Sequence, residues 1–91
     1  MTTQVTTQIS QQEILEVVLK HLRRNVDGLE GVEIDPSRSM AEYSASSLDI
    51  VEVVSASMRE LGIKIPRTRL AQVKNIQGLV NLLSEAKLQA A

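Results

Sequence analysis

An all-α four-helix bundle, with three main helices, one short helix and a long first loop, is the fold this sequence predicts. Two observations carry that expectation. The 91-residue chain has a single aromatic residue, Tyr43, so its core must be built from Leu, Ile, Val, Met and Ala. Such a core suits interlocking helices better than a sandwich, where aromatic and β-branched cross-strand pairs support the sheet. Three stretches also place apolar residues at helical spacing, each behind a residue that can cap a helix start.

The first is "SQQE", Ser10 to Glu13, a serine followed three residues later by glutamate. The serine hydroxyl accepts a free N–H of the first turn and the glutamate reaches back to the serine N–H. Ile14, Val17, Val18 and Leu22 follow on one face, Arg23 and Arg24 suit the negative helix end, and "NVDG" stops the element, which gives a helix over residues 11 to 25.

"SSLD", Ser46 to Asp49, repeats the capping pattern with Ser46 as N-cap and Ser47 at the first helical position. Val51, Val54, Met58 and Leu61 read as the apolar stripe, flanked by Ile50 and Val53, and Gly62 is a natural residue to end on, so this helix covers 47 to 61. Pro66 opens a short helix over 67 to 72. Asn75 caps the last helix, 76 to 88, in which Gly78 signals close packing or a tolerated weakness. Short connections after the second helix imply neighbouring, roughly antiparallel packing.

The connection from Val26 to Ser46 is long for a compact domain. Its apolar residues, Leu29, Val32, Ile34, Met40 and Tyr43, are expected to pin it across the helices. Residues 1–9 read as a flexible N-terminal tail, 10–88 as the folded domain and 89–91 as a C-terminal tail.

Net charge is −1, which removes the basic surface that nucleic-acid binding calls for. The absence of cysteine excludes disulfides, thiolate metal sites and a cysteine nucleophile. His21 is the sole histidine, with no acid cluster beside it in sequence, and reads as a partly exposed helix residue rather than a metal ligand. No apolar run reaches the roughly 20 residues of a membrane span, and the polar N-terminus is no secretory or transit signal. The chain reads as a cytoplasmic, monomeric protein that binds neither nucleic acid nor membrane. It carries no catalytic cluster, so it reads as a non-enzyme.

Ser47 taken alone has two readings. A serine at a helix start is ordinarily a cap or a solvated neighbour. A phosphate on its hydroxyl would also sit over the free N–H groups of the first turn, a favourable anion position. No histidine or free acid in the local sequence activates it as a nucleophile, so any chemistry on it must come from another protein.

"SASSLDIVEVV", Ser44 to Val54, resembles the modification site of acyl carrier proteins: an aliphatic residue, Gly, any residue, Asp or Asn, then Ser-Leu. Ser47-Leu48-Asp49 matches the Ser-Leu-Asp core, "GIKIP" (Gly62 to Pro66) resembles the segment that closes the second helix, and "VKNIQGLVNLL" (Val73 to Leu83) resembles the last helix. The resemblance spans about residues 11 to 88 and covers the long first loop. It implies a four-helix carrier fold and a 4′-phosphopantetheine arm, donated from coenzyme A by a phosphopantetheinyl transferase and attached at Ser47, whose thiol holds acyl groups as thioesters.

Two departures stand out. Ser44 occupies the family's glycine position and Ser46 its Asp or Asn position. After Pro66 the chain carries Arg67, Arg69 and Lys74 where fatty-acid carriers are rich in acids. That region is most similar to free-standing carriers of bacterial polyketide β-branching, which donate acetyl to a synthase related to hydroxymethylglutaryl (HMG)-CoA synthase. The resemblance implies an acetyl or malonyl donor that meets an acyltransferase, a ketosynthase or decarboxylase-type enzyme and the HMG-CoA synthase-like enzyme. Candidate partner contacts are Leu48, Asp49, Val51, Glu52, Ser55, Arg67 and Arg69; for the charged ones a solvated face is the bland alternative. Fatty-acid and peptidyl carriers, and an unmodified helical interaction module, are the competing readings.

Overall fold

The computed structural model describes residues 10–90. The expected tail over residues 1–9 lies outside the described residues. Four α-helices follow in order: α1 (Gln11–Asn25), α2 (Ser47–Leu61), α3 (Arg67–Leu70) and α4 (Ile76–Ala90), with a 3-10 turn over Met40–Tyr43 in the long loop. No strand occurs among the described residues, and none of their helices is long and apolar enough to cross a membrane.

Helix starts are set by side-chain caps. Ser10 and Glu13 form the expected reciprocal box, with Ser10 N–H donating to Glu13 at 2.9 Å and Glu13 N–H to Ser10 Oγ at 3.1 Å. Asn75 caps α4, its Oδ1 accepting the Gly78 N–H at 2.7 Å. A β-carbon on Gly78 would lie 3.1 Å from that same oxygen, so the glycine leaves room for the cap. α3 is shorter than its expected extent to residue 72, and α4 runs past the expected end at 88.

α1 is the centre of the bundle. It packs along both α2 and α4, and Ile14, Val18 and Leu22 on its inner face have no exposed surface. The backbones of α2 and α4 come close at few points. Side chains bridge the elements instead. Lys87 of α4 donates to the Leu61 carbonyl at 2.8 Å, supplying a cation and a donor at the negative end of α2. Glu60 of α2 accepts from Lys20 and meets His21 of α1, each at 2.7 Å. His21 is therefore half-buried and clamped to α2; no group of three or more potential metal ligands exists among the described residues.

The apolar stripe of α2 is rotated from its expected position. Val53, Ala56 and Leu61 are buried against the core, Ile50, Val54 and Met58 are half-buried, and Val51 is exposed. Helical periodicity identified the amphipathic pattern but not which edge of it α1 would cover.

The long loop is held on both sides. Leu29, Ile34 and Met40 are buried, Tyr43 is half-buried, and Val32 points outward, unlike the inward packing expected of it. The Tyr43 hydroxyl accepts the Asp35 N–H at 2.7 Å. Ser39 and Glu42 form another capping box on the 3-10 turn. The Pro36 and Arg38 carbonyls accept the Gln77 and Ile76 N–H groups at 2.7 and 3.0 Å, so loop backbone satisfies the start of α4. The loop is an integral part of the helix assembly, which explains its length.

Three surface carboxylates are held below their ordinary values by the bonds that fix these joints. The Ser39 N–H lowers Glu42, Lys20 and then His21 lower Glu60, and the Ser37 N–H and hydroxyl lower Asp35. A carboxylate whose folded pKa is depressed contributes stability above its unfolded value and loses it as pH falls through the folded one. Stability should therefore decline as pH drops below 4.5, where Glu42 and Glu60 begin to bind protons in the unfolded chain, and further below 3.8 for Asp35. Urea midpoints measured from neutral pH down to about pH 3 check this, and Glu60→Gln should flatten the decline.

Candidate functional site

The α2 start separates the roles of its neighbouring serines. Ser46 sits in extended backbone as N-cap, and its hydroxyl accepts the Asp49 N–H at 3.1 Å. Asp49 returns the bond, its Oδ2 accepting the Ser46 N–H at 2.9 Å. The Ile50 N–H reaches the Ser46 carbonyl at 2.9 Å, which begins the intrahelical ladder. Ser47, the first residue of α2, is exposed, and its hydroxyl makes no hydrogen bond among the described residues. The Ser47 and Leu48 N–H groups also lack protein acceptors there, as expected of the first turn.

A hydroxyl displayed beside two free amides at the positive end of a fifteen-residue helix is a fitting base for a phosphodiester. The anion gains about 0.3–1 kcal/mol from that field at an exposed position. Nothing here makes Ser47 nucleophilic: Asp49 is engaged by the cap, and His21 lies at the other end of α2 against Glu60.

The approach to this serine contains the one non-glycine residue with positive φ among the described residues. Ser44 ends the 3-10 turn at φ 71°, ψ 19°, in the left-handed region, where a β-carbon costs about 1–2 kcal/mol. The expectation that Ser44 is a turn residue standing in for glycine agrees with this geometry.

Around the serine, the candidate contact residues fall into three groups. Leu48 and Val51 are strongly exposed, at 81% and 61%, an uncommon pairing of large aliphatics on one edge. Glu52 is exposed beside them and Asp49 is half-buried in its cap. Ser55 and Arg67 line a groove between α2, α3 and the loop, joined by Lys74, a residue whose position on that groove no local sequence signal reveals. Arg69 points away from this cluster and is paired with Glu85 of α4 at 2.8 Å. That pair joins α3 to α4.

Comparison with known proteins agrees with this arrangement. The family described as "Phosphopantetheine attachment site" matches residues 12–83. The polyketide biosynthesis acyl-carrier-protein AcpK of Bacillus subtilis is 32% identical over 83 residues, covering 91% of this chain and all of that protein. An acyl carrier protein of Acidothermus cellulolyticus is 28% identical over 90% of this chain and 98% of its own length. Among solved structures, a chain of the curacin biosynthetic pathway HMG synthase in complex with acetyl donor-ACP superposes with a TM-score of 0.78 at 28% identity, over 85% of this chain and 99% of that one.

The strain at Ser44 gives a direct test of the local geometry. Ser44→Gly should raise stability by about 0.5–1 kcal/mol, the relieved β-carbon clash less the added freedom of the unfolded chain, read as a higher urea midpoint with unchanged helical signal.

Proposed function

The chain belongs to the acyl carrier family defined by the phosphopantetheine attachment site, and from that premise we propose that Ser47 bears the arm and that the protein is a free-standing donor carrier in polyketide β-branching. It is a carrier and not a catalyst, and the family's group is a covalently attached 4′-phosphopantetheine, which supplies a thiol for thioester formation. The observation that carries the choice of residue is the division between the serines: Ser46 is occupied as cap and Ser47 is free.

On this reading a phosphopantetheinyl transferase joins the Ser47 oxygen to the pantetheine phosphate. The serine proton passes to a base on the transferase, and adenosine bisphosphate leaves coenzyme A with the phosphorus–oxygen electron pair. Ser46 and Asp49 hold the helix start rigid while this happens, and the free Ser47 and Leu48 amides face the new phosphodiester. Acyl groups arrive through an acyltransferase, and decarboxylase-type and HMG-CoA synthase-like enzymes act on them in turn. The donor assignment is supported by the similarity to a polyketide carrier and to a chain solved with an HMG synthase, and by Arg67 and Lys74 in the region after Pro66. Those cations speak against the fatty-acid alternative.

Leu48 and Val51 form the apolar centre of the docking face on this reading, with Glu52 at its rim. Apolar side chains exposed beside the attachment point dominate binding when a partner buries them, and rim charges contribute less.

Incubation with coenzyme A and a broad-specificity transferase should add one phosphopantetheine to the intact mass, on the peptide containing Ser47. Ser47→Ala should stay unmodified. Ser46→Ala should still accept the arm while losing about 1 kcal/mol of stability as a missing cap. Modification of Ser46 in the wild type, or none at all, would overturn the assignment, the latter in favour of an interaction module. In the pantetheinylated protein, Leu48→Ala should lower acetyl delivery to an HMG-CoA synthase-like enzyme about tenfold with no loss of fold, read by transfer kinetics and circular dichroism.

A further inference from the structure

The end of α2 remote from Ser47 gathers cations from three helices and from the segment that follows it. Glu60 is the one carboxylate of the last turn, and Lys20 and His21 of α1 share it, each at 2.7 Å. From α4, Lys87 reaches the Leu61 carbonyl at 2.8 Å. Arg59 is exposed in the same turn, and Lys64 is exposed just past it, between the buried Ile63 and Ile65. Arg24, also exposed, lies one helical turn beyond Lys20 on the same side of α1.

Cations at the end of a helix ordinarily serve the helix itself, by offsetting its negative pole. Here that role is already filled. Lys87 holds the Leu61 carbonyl, and the Gly62 and Ile63 N–H groups donate to the Arg59 and Met58 carbonyls at 3.2 and 3.0 Å. Arg24, Arg59 and Lys64 form no ion pair among the described residues. Asp27 and Glu30, the acids that follow Arg24 in sequence, line a separate pocket with Arg23, whose guanidinium donates to the Val32 carbonyl at 2.9 Å. Charge therefore reverses along α2, from Asp49 and Glu52 near its start to uncommitted cations at its end. Its fifteen residues put about 20 Å between the two. A ligand on the cationic end leaves Ser47, Leu48 and Val51 uncovered.

We infer that this cationic end docks an acidic, extended segment of a partner protein through Arg24, Arg59 and Lys64, so that the chain is held at one end while the Ser47 end stays open. Arg and Lys each take carboxylates by charge-assisted hydrogen bonds. Three free cations match a short run of carboxylates. A larger polyanion would extend past them onto a chain that is otherwise net negative. That the held chain stays serviceable rests on attachment of the arm at Ser47; the docking itself does not.

The probe is a synthetic oligoglutamate peptide, titrated at low salt into the isotope-labelled, pantetheinylated protein and followed by NMR. Amide signals of Arg24, Arg59 and Lys64 should move and saturate, and about 0.5 M salt should remove the shifts. Combined Arg59→Gln and Lys64→Gln should weaken binding about tenfold with the helical signal unchanged. Combined Arg67→Gln and Lys74→Gln should leave it as it was. The transferase should modify the unloaded protein at the same rate with and without saturating peptide. No shifts at low salt, shifts centred on Arg67 and Lys74, or slowed modification overturn the inference. So do anionic vesicles or duplex DNA that move the same signals at lower concentration than the peptide, and so do concentration-dependent shifts there without peptide, which assign the surface to a second copy. Peptide binding with no mass gain at Ser47 supports the docking and overturns only the attachment site.

Discussion

Burial of one aliphatic stripe on α1 is the constraint the fold obeys. Ile14, Val18 and Leu22 are wholly enclosed, and they are enclosed from two sides, by α2 and by α4. With no phenylalanine or tryptophan to fill gaps, the core closes by close packing of aliphatic side chains around that stripe. Truncating any of these side chains to alanine would cost about 2–5 kcal/mol. That is a large share of the roughly 5–15 kcal/mol that holds a small domain together.

That arrangement frees α2 to be asymmetric along its length. Its distal part is buried through Val53, Ala56 and Leu61, and its end is secured by Gly62 in the left-handed region and by Lys87 on the Leu61 carbonyl. Its first turn owes little to the core: Leu48 and Val51 face solvent, and the capping box supplies the local order. The helix is anchored at one end and displayed at the other. The exposed end can thus be enclosed by a partner without disturbing the packing.

The start of every main helix was legible because the chain writes it locally. Ser10 with Glu13, Ser46 with Asp49, and Asn75 each act within one turn, and α1 and α2 have the expected bounds. The box of Ser39 and Glu42 carried the same signature and could have been found in the loop. What sequence could not convey is non-local. The loop carbonyls of Pro36 and Arg38 that satisfy α4, the link from Lys87 to α2 and the clamp of His21 on Glu60 join residues remote in sequence. The outward turn of Val51 belongs to the same class, since amphipathicity names a stripe but its covered edge depends on the partner helix. At the candidate site, the resemblance singled out Ser47, Leu48 and Glu52, which are exposed on α2, whereas the pairing of Arg69 and the placing of Lys74 on the groove required the tertiary structure.

The capping boxes bear on how partners recognise the carrier. Glu42 and Asp49, the acids nearest Ser47 on either side, both accept backbone N–H groups of their own caps. With serine at position 46, before Ser47, no further carboxylate is offered there. Glu52 is then the nearest uncommitted acid on α2, beside two of the most exposed aliphatic side chains in the described structure. Across the groove the charge is positive, at Arg67 and Lys74. A partner selected for a uniformly acidic carrier would meet one acid on α2 and cations on α3. Long-range electrostatic steering by the α2 face is correspondingly weak; on the proposed reading, discrimination among enzymes falls to the fit of Leu48 and Val51 at close range, with the cations as a repulsive element against basic docking surfaces.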